Sequence, residues 1–340
     1  MAASGQPSQT AESSSSLAPA QGVQSGLASS DAPLPKARAL LQSGKVEEAE
    51  RAVRQYVRDH PNSADAHFLL GYVLFKKIQA DNSAPMTGSV ERSAPSARDA
   101  KSRRENAKAS LAEYTEGAKY QAPSAFDLKV VALDYVLLKD YADADKWLTK
   151  ALRKNPSDSE GWYYLGRTKY NENRFEEAIS ALQQYLKMDP ESIKGEDNLG
   201  LAYQGLGRTE DATAAYRTAI AWQEHTLNQD SGPFVNLAAV LLNQNQPQQA
   251  VPYLLQAAAI SPLEPRVHEQ LGKTYERLNQ LAKAQLEFER AVELDPQNAR
   301  LHYVLGKVYQ KQGLMGKAKL EFDRSATLRG DLSSPGDRDR

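Results

Sequence analysis

The chain is predicted to fold as an all-α solenoid of about eight helix-turn-helix repeats, on three observations. The cluster Trp162-x-x-Leu165-Gly166, followed by Ala178 and Pro190, recurs along most of the 340 residues at a spacing of 34. Each unit holds two stretches of helical apolar periodicity, parted by a short turn, and many units close on proline. The period uses up nearly all residues and leaves no stretch for a separate catalytic domain. One such unit cannot bury its own apolar face, so neighbours must stack.

The first helix of each unit is marked by an apolar residue and a small one. These are Leu70-Gly71, Val131-Ala132, Leu165-Gly166, Leu199-Gly200, then, after a four-residue slip, Leu237-Ala238, Leu271-Gly272 and Leu305-Gly306. The small residue lets the partner helix approach closely. The second helix answers with an alanine (Ala49, Ala144, Ala178, Ala212, Ala250, Ala284, Ala318) and, four residues on, a bulky apolar residue. That residue is Val53, Leu148, Leu182, Tyr216, Leu254, Phe288 or Phe322, on the same helical face as the alanine. Turns such as Asn171-Glu172-Asn173, Gly205-Leu206-Gly207 and Gln312-Gly313 separate the helices. Pro61, Pro156, Pro190, Pro262 and Pro296 end the second ones, since proline lacks the N–H that a helix interior uses. Glu47-Glu48 and Glu176-Glu177 fall in the first turn of a second helix, where negative charge meets the positive end of the helix dipole.

The units fall near 30–63, 64–124, 125–158, 159–192, 193–230, 231–264, 265–298 and 299–329, so the solenoid spans 33–329. Two depart from the period. In the second, a first helix at about Ala64–Lys77 is followed by loop chemistry over 80–99 (Asn82, Pro85, Gly88, Pro95), with the second helix expected from near Ala100 to about Tyr120. In the fifth, the closing proline is missing and the second helix is expected to run past Trp222 to His225. Residues 1–32, rich in Ser, Ala and Pro, are expected to be a disordered tail; a linker behind a removed signal or anchor is the compositional alternative. Residues 330–340 form a polar tail.

Composition excludes several function classes. With 42 basic and 43 acidic residues the net charge is −1, not that of a nucleic-acid binder. No apolar run is long enough to span a membrane. There is no cysteine, hence no disulfide framework, thiolate nucleophile or Cys-based metal site. No phosphate loop, His-Glu-x-x-His run or Gly-x-Ser-x-Gly elbow occurs. His67, His268 and His302 fall in the slot that Trp162 occupies, which points to packing rather than catalysis. No cofactor and no enzymatic activity is expected. Without a signal peptide or membrane span a cytoplasmic setting is the default, with export or a periplasmic location left open.

The pattern W-x2-L-G-x2-Y, A-x3-F and a closing P at a 34-residue period resembles the tetratricopeptide repeat (TPR) family over roughly residues 30–330. The resemblance implies a right-handed superhelix and a non-enzymatic scaffold or adaptor, whose concave groove binds a segment of a protein partner. It also implies that repeat positions 2, 5, 9, 12 and 13 of the first helices face that groove. In the last two units these read Arg266, Glu269, Lys273, Glu276, Arg277 and Arg300, Tyr303, Lys307, Gln310, Lys311, a basic strip suited to an acidic peptide segment. Further forward they include Phe68, Phe75, Phe126, Tyr163 and Tyr170. Phe75 and Tyr170 are read as packing, and Tyr163 beside Arg167 as a contact. The clamp that some TPR proteins use for chaperone tails is incomplete: Asn198 and Asn236 fit, but Tyr163/Arg167 and Asp197/Leu201 stand where it needs Lys and Asn. The alternative reading is a self-associating structural subunit of a larger assembly, a homo-oligomer held by the solenoid edge or the apolar first helix of repeat 2.

Overall fold

The structure, a computed structural model, describes residues 33–83, 97–224, 226 and 229–330. The expected N-terminal tail, the C-terminal tail after Gly330, most of the 80–99 insertion and His225 lie outside the described residues. Among those described, sixteen helices pair consecutively into antiparallel hairpins. They are α1 (Pro33–Gln42) with α2 (Val46–Asp59), α3 (Ala64–Ser83) with α4 (Ala97–Gly117), α5 (Ala125–Leu138) with α6 (Tyr141–Lys154), and α7 (Ser159–Asn171) with α8 (Phe175–Met188). There follow α9 (Ile193–Gly205) with α10 (Thr209–Trp222), α11 (Gly232–Asn243) with α12 (Pro247–Ile260), α13 (Pro265–Arg277) with α14 (Leu281–Leu294), and α15 (Ala299–Lys311) with α16 (Met315–Arg329).

Every hairpin but α3–α4 turns at one residue with positive φ: Gly44, Lys139, Asn173, Gly207, Asn245, Asn279 and Gly313. Glycine and asparagine tolerate this conformation and so recur there. Within the pair, the small residue of the first helix meets the bulky residue of the second. A Cβ on Gly166 would stand 2.6 Å from Leu182 Cγ, and one on Gly200 would stand 2.5 Å from the Tyr216 ring. Ala144, Ala178, Ala212, Ala250 and Ala284, with Leu148, Leu182, Tyr216, Leu254 and Phe288, are fully buried. The acidic pairs Glu47-Glu48 and Glu176-Glu177 open α2 and α8.

The expected boundaries need correction in two units. In repeat 2, Ala80–Ser83 and Ala97–Asp99 are helical rather than loop. At Ile78, where other units place their turn residue, there is a buried β-branched side chain, so α3 continues instead of turning. In repeat 5, α10 stops at Trp222 and does not run on to His225. The extra residues lie in the connection, organised by a buried glutamine. Gln223 accepts from the Asp230 N–H (2.6 Å) and donates to its carbonyl (3.1 Å), while its own carbonyl accepts from Thr226 and Gln229.

Candidate functional site

The inner face of the solenoid is identified by which helices touch. Successive first helices meet one another, α1 with α3 and so on to α11 with α13, while second helices pack closely on first helices. The first helices therefore line the side of smaller radius, and their residues three and four apart share the face that opens onto the groove.

At the C-terminal end of the groove the expected basic strip is present but largely engaged by the protein itself. Glu269 binds Lys273 (2.6 Å) and, across the repeat boundary, Arg300 (3.3 Å). Glu276 binds Lys311 (2.7 Å). Arg277 donates to the Leu242 carbonyl. Lys307 is exposed and makes no ion pair among the described residues, and the exposed Tyr303 ring leans on Phe322. Two carboxylates, Glu269 and Glu276, thus offset part of the strip's positive charge, and Lys307 is its one cation without an ion pair or hydrogen bond among the described residues.

At the centre, three first helices are tied by polar side chains. Asn236, buried on α11, donates to Asp197 of α9 (2.8 Å), and its oxygen accepts from Arg266 of α13 (3.0 Å). Burial pushes the Asp197 carboxyl up to about 6, with the Asn236 hydrogen bond acting against the shift. The amide of Asn236 thus bridges Asp197 and Arg266, with one hydrogen bond on each side.

Further forward, Tyr163 of α7 lies against its neighbours Tyr164 and Tyr185. Two cations flank its ring: Lys194 of α9 with Nζ 4.9 Å from the centroid, and Arg167 at 5.8 Å. Asn198 Nδ2 is 3.5 Å from the Tyr163 hydroxyl and 2.7 Å from the Lys194 carbonyl. The structure therefore brings Tyr163 and Arg167 together as expected and adds Lys194, which the earlier position rule would also have marked at position 2 of its repeat. Phe68 and Phe75 are buried, and Tyr170 packs on Phe175. Phe126 is 48% exposed and edges onto Tyr72 beside a cavity of about 640 Å³ lined also by Arg38, Asp65, Lys76 and Gln121.

The three histidines of the tryptophan slot make one repeated contact. The ring Nε2 meets the carbonyl of the preceding repeat's closing proline: His67 with Pro61 (2.8 Å), His268 with Pro262 (3.0 Å), His302 with Pro296 (3.0 Å). Trp162 Nε1 donates in the same way to Pro156 (2.9 Å). The other imidazole nitrogen reaches a glutamate of the second helix, Glu113, Glu287 or Glu321, at 2.6–2.8 Å. The separation is 19 residues in the last two units and 46 in repeat 2, so the insertion leaves the pairing intact. These rings latch one repeat onto the next. No group of three or more His, Asp or Glu side chains placed to hold a metal ion occurs among the described residues.

Comparison with known families agrees with this architecture. A family model described as Tetratricopeptide repeat matches residues 34–107 and 132–193, another of that description matches 197–226, and one described as TPR repeat matches 277–313. The chain is a tetratricopeptide repeat protein. Among curated TPR relatives, the peroxisomal targeting signal receptor of Saccharomyces cerevisiae is 32% identical over 82 residues, 24% of this chain and 13% of that protein. Protein O-mannosyl-transferase TMTC3 of Mus musculus is 26% identical over 154 residues, 42% of this chain. The chain spans only 13% and 17% of the length of these two relatives. Among solved structures, a tetratricopeptide repeat protein from Parabacteroides merdae superposes with a TM-score of 0.59 at 14% identity, over 82% of this chain and 97% of that one. The type IV pilus biogenesis factor PilW gives 0.54 at 20% identity, over 62% and 95%. These likenesses show the TPR solenoid fold. No helix among the described residues is long and apolar enough to cross a membrane.

Proposed function

We propose that this TPR chain is a non-enzymatic scaffold or adaptor that holds a segment of a partner protein in its concave groove. The observation carrying this reading is the inner face itself: first helices along the solenoid present aromatic and cationic side chains that stay exposed, among them Phe126, Arg167, Tyr303 and Lys307. Such rigid, half-wet anchors suit recognition of an extended or helical peptide. The name of the yeast relative, a targeting signal receptor, supports the same reading. An acidic segment fits the groove's cations, with Arg266, Lys273, Arg277, Arg300, Tyr303, Lys307, Lys311, Tyr163 and Arg167 as candidate contacts.

Affinity capture from the native lysate tests it, with the intact chain run beside a variant carrying Glu at Arg266, Lys273, Arg277, Arg300, Lys307 and Lys311. A partner held by the first and lost by the second places the site in the C-terminal groove. Identical partner lists move it to the aromatic half or the convex face.

A second reading, self-association, is favoured by one observation. Leu286 and Leu320 occupy the same place on α14 and α16 and are 64% and 62% exposed. Adjacent exposed leucines at one repeat position offer an apolar patch to a second copy. Light scattering on the chain and on Leu286→Ser/Leu320→Ser decides: a dimer that dissolves in the variant favours this reading, and a monomer in both removes it.

A further inference from the structure

Not all cations of the groove are equal. In repeats 7 and 8, Lys273 and Arg300 share Glu269, Lys311 pairs with Glu276, and Arg266 and Arg277 donate to the Asn236 oxygen and the Leu242 carbonyl, so most of these cations already have a partner although the strip keeps a net positive charge. In repeats 4 and 5, Arg167 and Lys194 are both exposed, and neither forms an ion pair among the described residues. The carboxylates around them are engaged elsewhere or turned away. Glu160 binds Lys129 (3.0 Å), Asp197 accepts from Asn236 (2.8 Å), and Glu196, two residues after Lys194, lies on another face of α9. Both cations are nevertheless positioned, because each lies within 6 Å of the centroid of one ring, Tyr163. That ring is fixed by Tyr164 and Tyr185. Asn198 Nδ2 approaches the Tyr163 oxygen at 3.5 Å as a donor, so this contact does not use the hydroxyl proton.

Two uncompensated cations bracketing a phenol donor, on two adjacent first helices, make a receptor for an anion. A carboxylate there would accept from the Tyr163 hydroxyl and meet both charges, and charge-assisted hydrogen bonds are the stronger kind. We infer that Tyr163, Arg167, Lys194 and Asn198 form a subsite that takes an acidic side chain of a bound peptide and gives the groove its preference for acidic segments at this place. This rests on the groove-binding reading above and sharpens it to one place and one chemistry.

The test uses the full chain and an immobilised array of short peptides, acetylated and amidated so that no terminal carboxylate is present. Each Asp- or Glu-bearing peptide is paired with its Asn or Gln counterpart. The expected result is retention of acidic peptides over their amides, weakened by added salt. Arg167→Gln or Lys194→Gln should weaken it by about 3- to 10-fold each, and the pair Arg167→Glu/Lys194→Glu should abolish it, as loss of charge-assisted contacts does. Arg300→Glu/Lys307→Glu should weaken it less than either glutamine change, and Lys101→Glu/Arg104→Glu, exposed on the second helix α4, should leave it unchanged. All these side chains are exposed, so melting should not move; the glutamine variants keep the comparison open if charge reversal disturbs the fold. Equal binding of acids and amides, or a loss confined to Arg300→Glu/Lys307→Glu, overturns the subsite while leaving groove binding in place. Failure of the intact chain to retain any peptide overturns the subsite and the groove reading together.

Discussion

Asp134 is the least comfortable residue in the solenoid. It lies in the apolar run of α5, is fully buried, and neither carboxyl oxygen has a hydrogen-bond partner. Ser110 of α4 faces it, but the single proton of that hydroxyl goes to the Gly71 carbonyl (2.9 Å). Burial pushes the Asp134 carboxyl from 3.8 up to about 8. The same place in other repeats is buried too, and is held by Val73, Thr168, Ala202, Val240, Thr274 and Val308. The informative perturbation is therefore Asp134→Val, which restores what sister repeats carry.

The magnitude follows from linkage. A carboxyl whose folded pKa is raised must take up a proton to fold wherever the unfolded chain is ionised. Its contribution is neutral below about pH 4, then falls by about 1.4 kcal/mol per pH unit until the folded pKa is reached. At pH 7 the penalty is roughly 4 kcal/mol. Asp134→Val removes it, so the stability gap between variant and parent should widen by roughly 3–4 kcal/mol between pH 5 and pH 8. Urea denaturation of both proteins at the two values, followed by circular dichroism, measures it. Every other titrating group is common to the pair and cancels. A gap of the same size at both pH values would refute the burial of a proton-demanding carboxyl at this helix interface.

Gly166→Leu should lower stability by about 3 kcal/mol and depress the melting temperature, because even a Cβ there would meet Leu182 at 2.6 Å; unchanged melting would sink the repeat register. Lys139→Gly should raise stability by about 0.5–1 kcal/mol in thermal melts, since this exposed lysine occupies the left-handed turn position at φ 62°. The hydrogen bond to Glu287 raises the His268 pKa, with burial opposing it. The raised pKa makes the pair's contribution full below about pH 6.5 and lost as pH rises through the folded value. Glu287→Gln should therefore cost on the order of 1 kcal/mol at pH 5.5 and little at pH 8.5; an equal cost at both would show that the contact is not ionic.

The pairing of helices was legible because it rests on local physics repeated many times over. The turn residue must accept positive φ, the small residue must admit a bulky one, and the period writes both requirements at fixed places. Where one requirement lapses, reading by period fails: Ile78 stands in the turn slot of repeat 2, and α3 runs on to Ser83. Gln223 takes over from the missing proline in repeat 5 by closing a loop that no local pattern announces. The histidine slot could have been read further, since a glutamate 19 residues on recurs in repeats 7 and 8.

The groove was legible only as a list of inward positions. Which of its cations remain available depends on contacts between units: Arg300 with Glu269, Lys311 with Glu276, Arg266 with Asn236. These partners are 30 to 35 residues apart, close to the repeat period. In a solenoid, then, charge should be counted across neighbouring repeats before it is counted along one. Counted that way, most cations of the strip of repeats 7 and 8 are already tied to a partner, and Arg167 with Lys194, too sparse to stand out along the chain, join Lys307 as cations that a ligand would find without an ion pair.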